Sequence, residues 1–264
     1  MRVRKINRVA LQAMQEDFYK TWTAPLDDMW ALGIVARGNF YEILMENRIG
    51  YLVVNEDHEL LEFYIKEAFA SEALEILLSC IHLLNIKKAY AITYAPSYFK
   101  LCMDLSDHHE VKSLLYEHEE KIAIKLPDVQ LIHVIATYEM LDEAMAYTLN
   151  TITASVDWLK PYYEGLIKTE SLILYKHNQT IVATGEIRPS HISLGYANIG
   201  MTVAFEYRLK GLGSYVLNDM VKRSYDKNLK PICGTDIENI ASQKTIEKCG
   251  FKVYHKVLKF EFKK

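Results

Sequence analysis

Residues 200–213 read G-M-T-V-A-F-E-Y-R-L-K-G-L-G, and the fold is decided by how this run is understood. Its first residues close a strand-like stretch from Tyr196 to Val203. A short linker leads to Arg208-Leu209-Lys210-Gly211-Leu212-Gly213. Behind it, Val216, Leu217, Met220, Val221 and Tyr225 recur on one side of a helix expected over residues 213–227. Gly211 and Gly213 allow the backbone to come close to a ligand. The free N–H groups at the helix start, on Leu212, Gly213 and Ser214, face that ligand, and the helix dipole favours an anion there. Arg208 and Lys210 add positive charge. Strand, basic glycine turn and helix together make a pyrophosphate cradle. Glycines serving only a tight strand-to-helix turn are the plainer reading, and a lone G-x-G would not displace it. The run is not a Walker A loop, which ends in Gly-Lys-Ser/Thr, and it lacks the G-x-G-x-x-G spacing of a dinucleotide fingerprint.

Downstream, Glu238-Asn239-Ile240-Ala241-Ser242 leads into Gln243 to Lys248 and then Cys249-Gly250-Phe251. Asn239 suits a helix cap and Gly250 a helix stop. Taken in order, the two segments resemble motifs A and B of the GNAT acyltransferases. Arg208, Gly211 and Gly213 fill the pattern Gln/Arg-x-x-Gly-x-Gly/Ala after the fourth strand. Asn239, a short helix and Gly250-Phe251 fill the second. The resemblance covers about residues 128–264. It implies acetyl-CoA as co-substrate, with Arg208 to Ser214 at the pyrophosphate. Backbone groups of Met201, Thr202 and Val203 would hold the pantetheine, and the Asn239 side chain would meet it.

The resemblance also implies the chemistry. A neutral amine attacks the thioester carbonyl, an oxyanion forms, and CoA thiolate leaves. Many relatives protonate that thiolate with a tyrosine four residues before the terminal Gly-Phe, where this chain has Ile246. Rim-type protein acetyltransferases use a serine three residues after the motif-B Asn, and Ser242 stands there. Ser242 is the expected thiolate donor and a second cofactor contact; a helix-start serine bonding its own backbone is the competing reading. Glu186, at the end of an apolar strand with Ile181, Val182 and Ala183, is the candidate general base. A surface strand-end carboxylate is equally consistent with its position. His191, in the adjoining loop, is the second choice. The glutamate that opens the fourth strand in some relatives falls near Ala197 here. Trp158, Tyr162, Tyr163 and Glu164, around Pro161, would suit a cationic amine, although packing between helices explains them as well.

Further out, helical signal covers 138–150 and 155–166, with strands over 171–176, 180–187, 231–236 and 253–262 and a helix over 241–248. The first half follows a similar plan: helix over the first 35 or so residues, then strands at 40–45, 49–55 and 60–65. A helix at 71–84, a strand at 87–93, a helix at 98–105 and a strand at 121–125 complete it. The expected fold is α/β (α+β): two GNAT-like domains, 1–127 and 128–264, each a mixed, mostly antiparallel sheet flanked by helices. Where the second half has its glycine turn, the first reads Ile65-Lys66-Glu67-Ala68-Phe69-Ala70-Ser71. It has no glycine, and Glu67 would repel a pyrophosphate, so the first domain is read as a degenerate copy.

The formal net charge of −3 gives no basic nucleic-acid footprint. Cys80, Cys102, Cys233 and Cys249 form no C-x-x-C pair and match no zinc spacing, so no metal is expected and a reducing compartment is. With no secretory leader or membrane-length apolar run in the sequence, a cytoplasmic location is expected. The expected partner is a small-molecule amine or a protein amine, with neither nucleic acid nor membrane, for a monomer or homodimer. A non-catalytic acyl-CoA sensor or scaffold is the alternative function.

Overall fold

The computed structural model describes residues 1–25, 28–152 and 155–263. Its contacts divide the chain into two compact units. The first holds residues 1–115 and 234–238 and the chain from Val253 on; the second holds 116–233 and 239–252.

In the first unit the order is β1 (Arg2–Lys5), α1 (Gln12–Lys20), β2 (Asn39–Leu44), β3 (Arg48–Val54) and β4 (Glu59–Ile65). Then come α2 (Ala73–Leu84), β5 (Lys88–Ile92), α3 (Pro96–Leu105) and β6 (Ser106–His118). β1 to β4 form an antiparallel meander, and β4 runs parallel to β5 from Glu59↔Lys88. The last strand of the chain, from Val257 to Glu261, pairs antiparallel with β5. Its Val257, Leu258 and Phe260 join a core of Leu52, Phe63, Leu77 and Cys102.

β1 replaces the start of the helix expected over the first 35 residues. Its charges hide it: Arg2, Arg4 and Lys5 occupy an edge strand, where exposed charge is ordinary. Arg4 and Arg48 close on the buried Glu42 carboxylate, at 2.6 and 2.7 Å through their Nε atoms, and fix β1 on β2. No strand forms at residues 121–125; β6 runs earlier, where Asp107, His108, His109 and Glu110 are exposed. On β4, Glu62 is buried and accepts hydrogen bonds from Tyr51 Oη, Tyr19 Oη and Gln15 Nε2. Burial pushes its carboxyl up to about 7, against the opposite pull of those three donors. β4 is followed by a 3-10 turn at Glu67–Glu72, with Glu67 in its first turn, and then by α2.

The second unit continues with β7 (Ile132–Ile135), α4 (Leu141–Thr151), α5 (Val156–Lys168), β8 (Leu172–His177), β9 (Thr180–Pro189) and β10 (Tyr196–Val203). Then come α6 (Leu212–Asp226), β11 (Lys230–Asp236), which belongs to the second unit as far as Cys233, α7 (Ile240–Lys248), and β12 (Phe251–Phe262), which belongs to the first unit from Val253 on. β7, β8, β9 and β10 are successive antiparallel neighbours, and β10 meets β11 in parallel. Side chains alternate across β9, so its neighbours define the two faces. Gly185 lies against Met220 of α6, whereas Glu186 meets Tyr162 of α5. α6 therefore covers one face and α5 the other. The α4–α5 side buries Leu141, Ala144, Leu159, Leu166, Leu174 and Ile181 together.

Candidate active site

β10 and β11 pair only over Tyr196↔Lys230 to Asn198↔Ile232, while β10 stays paired with β9 as far as Val203↔Ala183. Beyond Asn198 one edge of β10 therefore carries no β11 ladder. The direction of its backbone groups follows from one bond. The Ala204 N–H donates to Val182 O, so residues 200, 202 and 204 spend their polar groups on β9. Met201 and Val203, beyond the last β11 partner, point theirs at the open edge. Arg208 confirms this parity: its Nε donates to Val203 O at 3.0 Å.

The turn after β10 is built around left-handed residues. Leu209 has φ 60 and Gly211 φ 82, with Lys210 between them. Leu209 is fully exposed, so no packing compensates the roughly 1–2 kcal/mol that this conformation costs a residue with a Cβ. Alternation of this kind makes successive N–H groups converge, and strain of this kind collects at ligand sites. Gly211 caps α6 without a side-chain bond, and the helix ladder starts with Tyr215 N–H to Gly211 O. The N–H groups of Leu212, Gly213 and Ser214 precede that first bond and emerge at the helix start.

Gly213 is where three elements meet. A Cβ built on it would stand 3.4 Å from Met201 Cε of β10 and 3.4 Å from Thr245 Cγ2 of α7. Cys249 Sγ, at the end of α7, donates to Ser214 O at 3.4 Å and ties that helix to the start of α6. Asn239 accepts the Ser242 N–H at 3.1 Å, so the cap read from sequence is formed. Ser242 lies one turn before Thr245 on the same face of α7, the face directed at Gly213. Ile246 is buried.

Arg208 differs from the simple expectation of a cation pointing at phosphate. Besides Val203 O, it donates from Nη2 to Thr151 O at 3.3 Å, and its guanidinium covers the Phe205 ring at 3.9 Å. It braces the turn onto the ends of β10 and α4. Lys210 extends over Tyr207 at 5.7 Å.

On the α5 face, Glu186 accepts from Tyr162 Oη at 2.7 Å, and Arg188 Nη2 lies 3.5 Å from its other oxygen. Burial and the Glu186 charge raise the Tyr162 phenol far above its ordinary range, so it remains a donor. Trp158 stacks on Tyr162 at 4.8 Å and 17°. Tyr163 turns inward to Thr148, and burial pushes its phenol up to about 12. The Glu164 carbonyl receives Tyr138 Oη at 3.5 Å. Of the aromatic cluster read from sequence, Tyr162 thus adjoins Glu186, and Trp158 stacks on Tyr162. His191 is exposed on its loop, and Ala197 is buried. Sequence reading missed Arg188, Gly200 and the hydroxyl pair Thr184–Thr202, 2.7 Å apart. Only the register of β9 on β10 brings these residues together. No group of His, Cys, Asp and Glu among the described residues could hold a metal, and no helix among them is long and apolar enough to cross a membrane.

Two family models match the chain. An acetyltransferase (GNAT) domain model covers residues 7–119, and the acetyltransferase (GNAT) family model covers 137–251. The chain resembles the solved structure of an acetyltransferase of the GNAT family from Colwellia psychrerythraea. The two share 31% identity over 100% of each chain, with a TM-score of 0.91. It has the fold of a tandem GNAT protein from the clavulanic acid biosynthesis pathway, at 11% identity and TM-score 0.64, covering 98% of this chain and 97% of that one. It also has the fold of a GCN5-related N-acetyltransferase from Sphaerobacter thermophilus, at 12% identity and TM-score 0.60, covering 84% and 80%. No curated protein matches it.

Proposed function

We propose that this chain, which belongs to the GNAT family of acetyltransferases, moves an acetyl group from acetyl-CoA to a primary amine within one ternary complex. The observation that carries this reading is the start of α6. Three N–H groups open there beside Gly213, next to the unpaired edge of β10. An anion fits the helix start, and an extended amide-bearing arm fits the strand edge that β11 leaves beyond Asn198. The residues that would hold acetyl-CoA are Leu209 to Ser214 at the pyrophosphate and Met201 and Val203 along the arm. Thr202 spends its backbone on β9 and contributes through position alone. Arg208 braces the turn, and Asn239 sets the α7 start that presents Ser242.

Each protein group then has one task. Glu186 accepts a proton from the incoming ammonium, directly or through water. The amine nitrogen attacks the thioester carbonyl carbon, and the Met201 or Val203 N–H stabilises the oxyanion. The C–S bond breaks, the extra proton on the nitrogen passes to the departing thiolate directly or through water, and Ser242 Oγ donates a hydrogen bond to that sulfur. Holding both substrates beside one strand edge supplies much of the rate.

The test is thiol release from acetyl-CoA with a panel of small amines and N-terminal peptides, in the presence of a chelator. Turnover should persist without metal. Ser242→Ala should lower kcat about 10- to 100-fold, the range of one lost hydrogen bond to a charged group, with little change in acetyl-CoA affinity. Glu186→Gln should lower turnover by about 10²-fold or more and flatten the rise of rate with pH. Tight acetyl-CoA binding without turnover on any amine would move the assignment to an acyl-CoA sensor.

Stoichiometry provides a second check. The first unit has no glycine at the turn after β4 and carries Glu67 in its place. Titration calorimetry should therefore find one acetyl-CoA per chain. Two equivalent sites would show that the first unit retains a working cradle.

A further inference from the structure

Gly200 lies directly opposite Glu186 in the β9–β10 register. A Cβ built on Gly200 would stand 2.7 Å from Glu186 Oε1, 3.1 Å from its Cγ and 3.2 Å from its Cδ. The outer part of the Glu186 side chain thus occupies the space where a residue-200 side chain would begin. It lies across β10 instead of standing upright on β9. On its far side β10 has the edge that β11 leaves open, since the two strands part after Asn198↔Ile232. Tyr162 holds one carboxylate oxygen and Arg188 flanks the other, so the side chain is fastened in this crossing pose. Gly200 is not in the left-handed region, so its backbone does not require glycine. The contact with Glu186 is what its missing side chain serves.

We propose that Gly200 is a positioning residue for acyl transfer: its bare Cα is the window through which the Glu186 carboxylate crosses β10 towards the edge where the thioester is held. The inference rests on the reading of Glu186 as the base that takes the proton from the ammonium before nitrogen attacks carbon. With any Cβ at position 200, Oε1 meets a contact shorter than packed atoms tolerate. The obstructing atom is the end of a flexible side chain, so the carboxylate moves and the strand stays. The fold survives, and the base is turned away from the open edge.

The experiment compares Gly200→Ala in two backgrounds, using thiol release from acetyl-CoA with whichever panel amine turns over. In the wild-type background Gly200→Ala should lower kcat by about 10-fold or more, as expected for a displaced proton acceptor. It should also shift the pH–rate profile while leaving acetyl-CoA affinity and melting temperature nearly unchanged. In a Glu186→Ala background, with no carboxylate to displace, the same change should cost less than about twofold. Equal losses in both backgrounds would show that Gly200 acts through its own backbone and would overturn the proposal. Wild-type turnover in Gly200→Ala, alongside a damaging Glu186→Gln, would overturn the window and spare the base. Wild-type turnover in Glu186→Gln would remove the base reading itself, and the window with it.

Discussion

Gly213→Val is expected to weaken acetyl-CoA binding by about 100-fold while lowering the melting temperature by only a few degrees. The asymmetry follows from where Gly213 sits. A single added carbon would already be in contact with Met201 Cε and Thr245 Cγ2, at 3.4 Å each. That spacing admits alanine. Valine adds two further carbons, which reach into the side chains of β10 and α7 and push the first turn of α6 away from both. The N–H groups of Leu212, Gly213 and Ser214 then lose their common aim at a pyrophosphate. Two hydrogen bonds to a charged group, at about 1.5–3 kcal/mol each, are enough to account for the predicted loss. Stability suffers less, because Met201 Cε is the end of a flexible side chain, the disturbance is confined to the first turn of α6, and the helix core at Val216, Leu217 and Met220 is untouched. Calorimetric titration of Gly213→Ala and Gly213→Val, each with a thermal melt, checks this. Alanine should bind within a fewfold of wild type. A folded valine variant with wild-type affinity would remove the pyrophosphate from this turn.

The same turn shows what a sequence can and cannot disclose about a site. β10, expected over 196–203, occupies Tyr196–Val203, and α6, expected over 213–227, occupies Leu212–Asp226. These elements are legible because each carries apolar residues at its own period and begins directly after a glycine, Gly195 before β10 and Gly211 before α6. Arg208 illustrates the opposite case. Its charge suggests a phosphate contact, but its guanidinium is taken by two backbone carbonyls and an aromatic face. Charge is written in the sequence, whereas the direction of a long side chain is decided by the carbonyls that chain ends leave unpaired. Gly200 escapes sequence reading because its role belongs to a residue on the neighbouring strand, and no local pattern encodes a cross-strand pair.

In the fold, the elements that sequence reading misses are those whose burial is one-sided or slight. β6 begins with exposed Asp107, His108, His109 and Glu110 and reaches buried Leu114, Leu115 and Tyr116 only near its end. β7 spans four residues with none fully buried, and β1 is mostly cationic. Hydrophobic periodicity reports burial, so strands that bury little leave little trace. The internal repeat is legible because it rests on element order, which survives where sequence identity does not. Two family models, one over each half, agree with that tandem arrangement.

Gly250 should be far harder to replace than Gly195, although the two share one backbone conformation. Both have φ +86, which costs a residue with a Cβ roughly 1–2 kcal/mol. Around Gly195 an added Cβ meets nothing within 4 Å. At Gly250 it would stand 1.9 Å from Glu120 O and 2.9 Å from the carbon of that carbonyl. These are backbone atoms, held where they are because the N–H groups of Glu119 and Glu120 both donate to Gly250 O, at 3.0 and 3.2 Å. Neither partner can give way without breaking that pair. Gly250 also ends α7, its N–H bonding to Glu247 O, so a displaced backbone loosens the helix that carries Ser242 and Thr245. Gly195→Ala should therefore cost about 1–2 kcal/mol, the conformational part alone. Gly250→Ala should cost more than about 4 kcal/mol and lower the melting temperature of its unit by roughly 10 °C or more. Acetyl-CoA binding should weaken in the Gly250 variant below its melting point, because Cys249 next to it holds α7 to Ser214 at the cradle. Thermal melts of the two variants, side by side, decide the matter. If Gly250→Ala melts no lower than Gly195→Ala, the carbonyl contact does not constrain that turn, and the Gly-Phe of the second motif is a helix stop and nothing more.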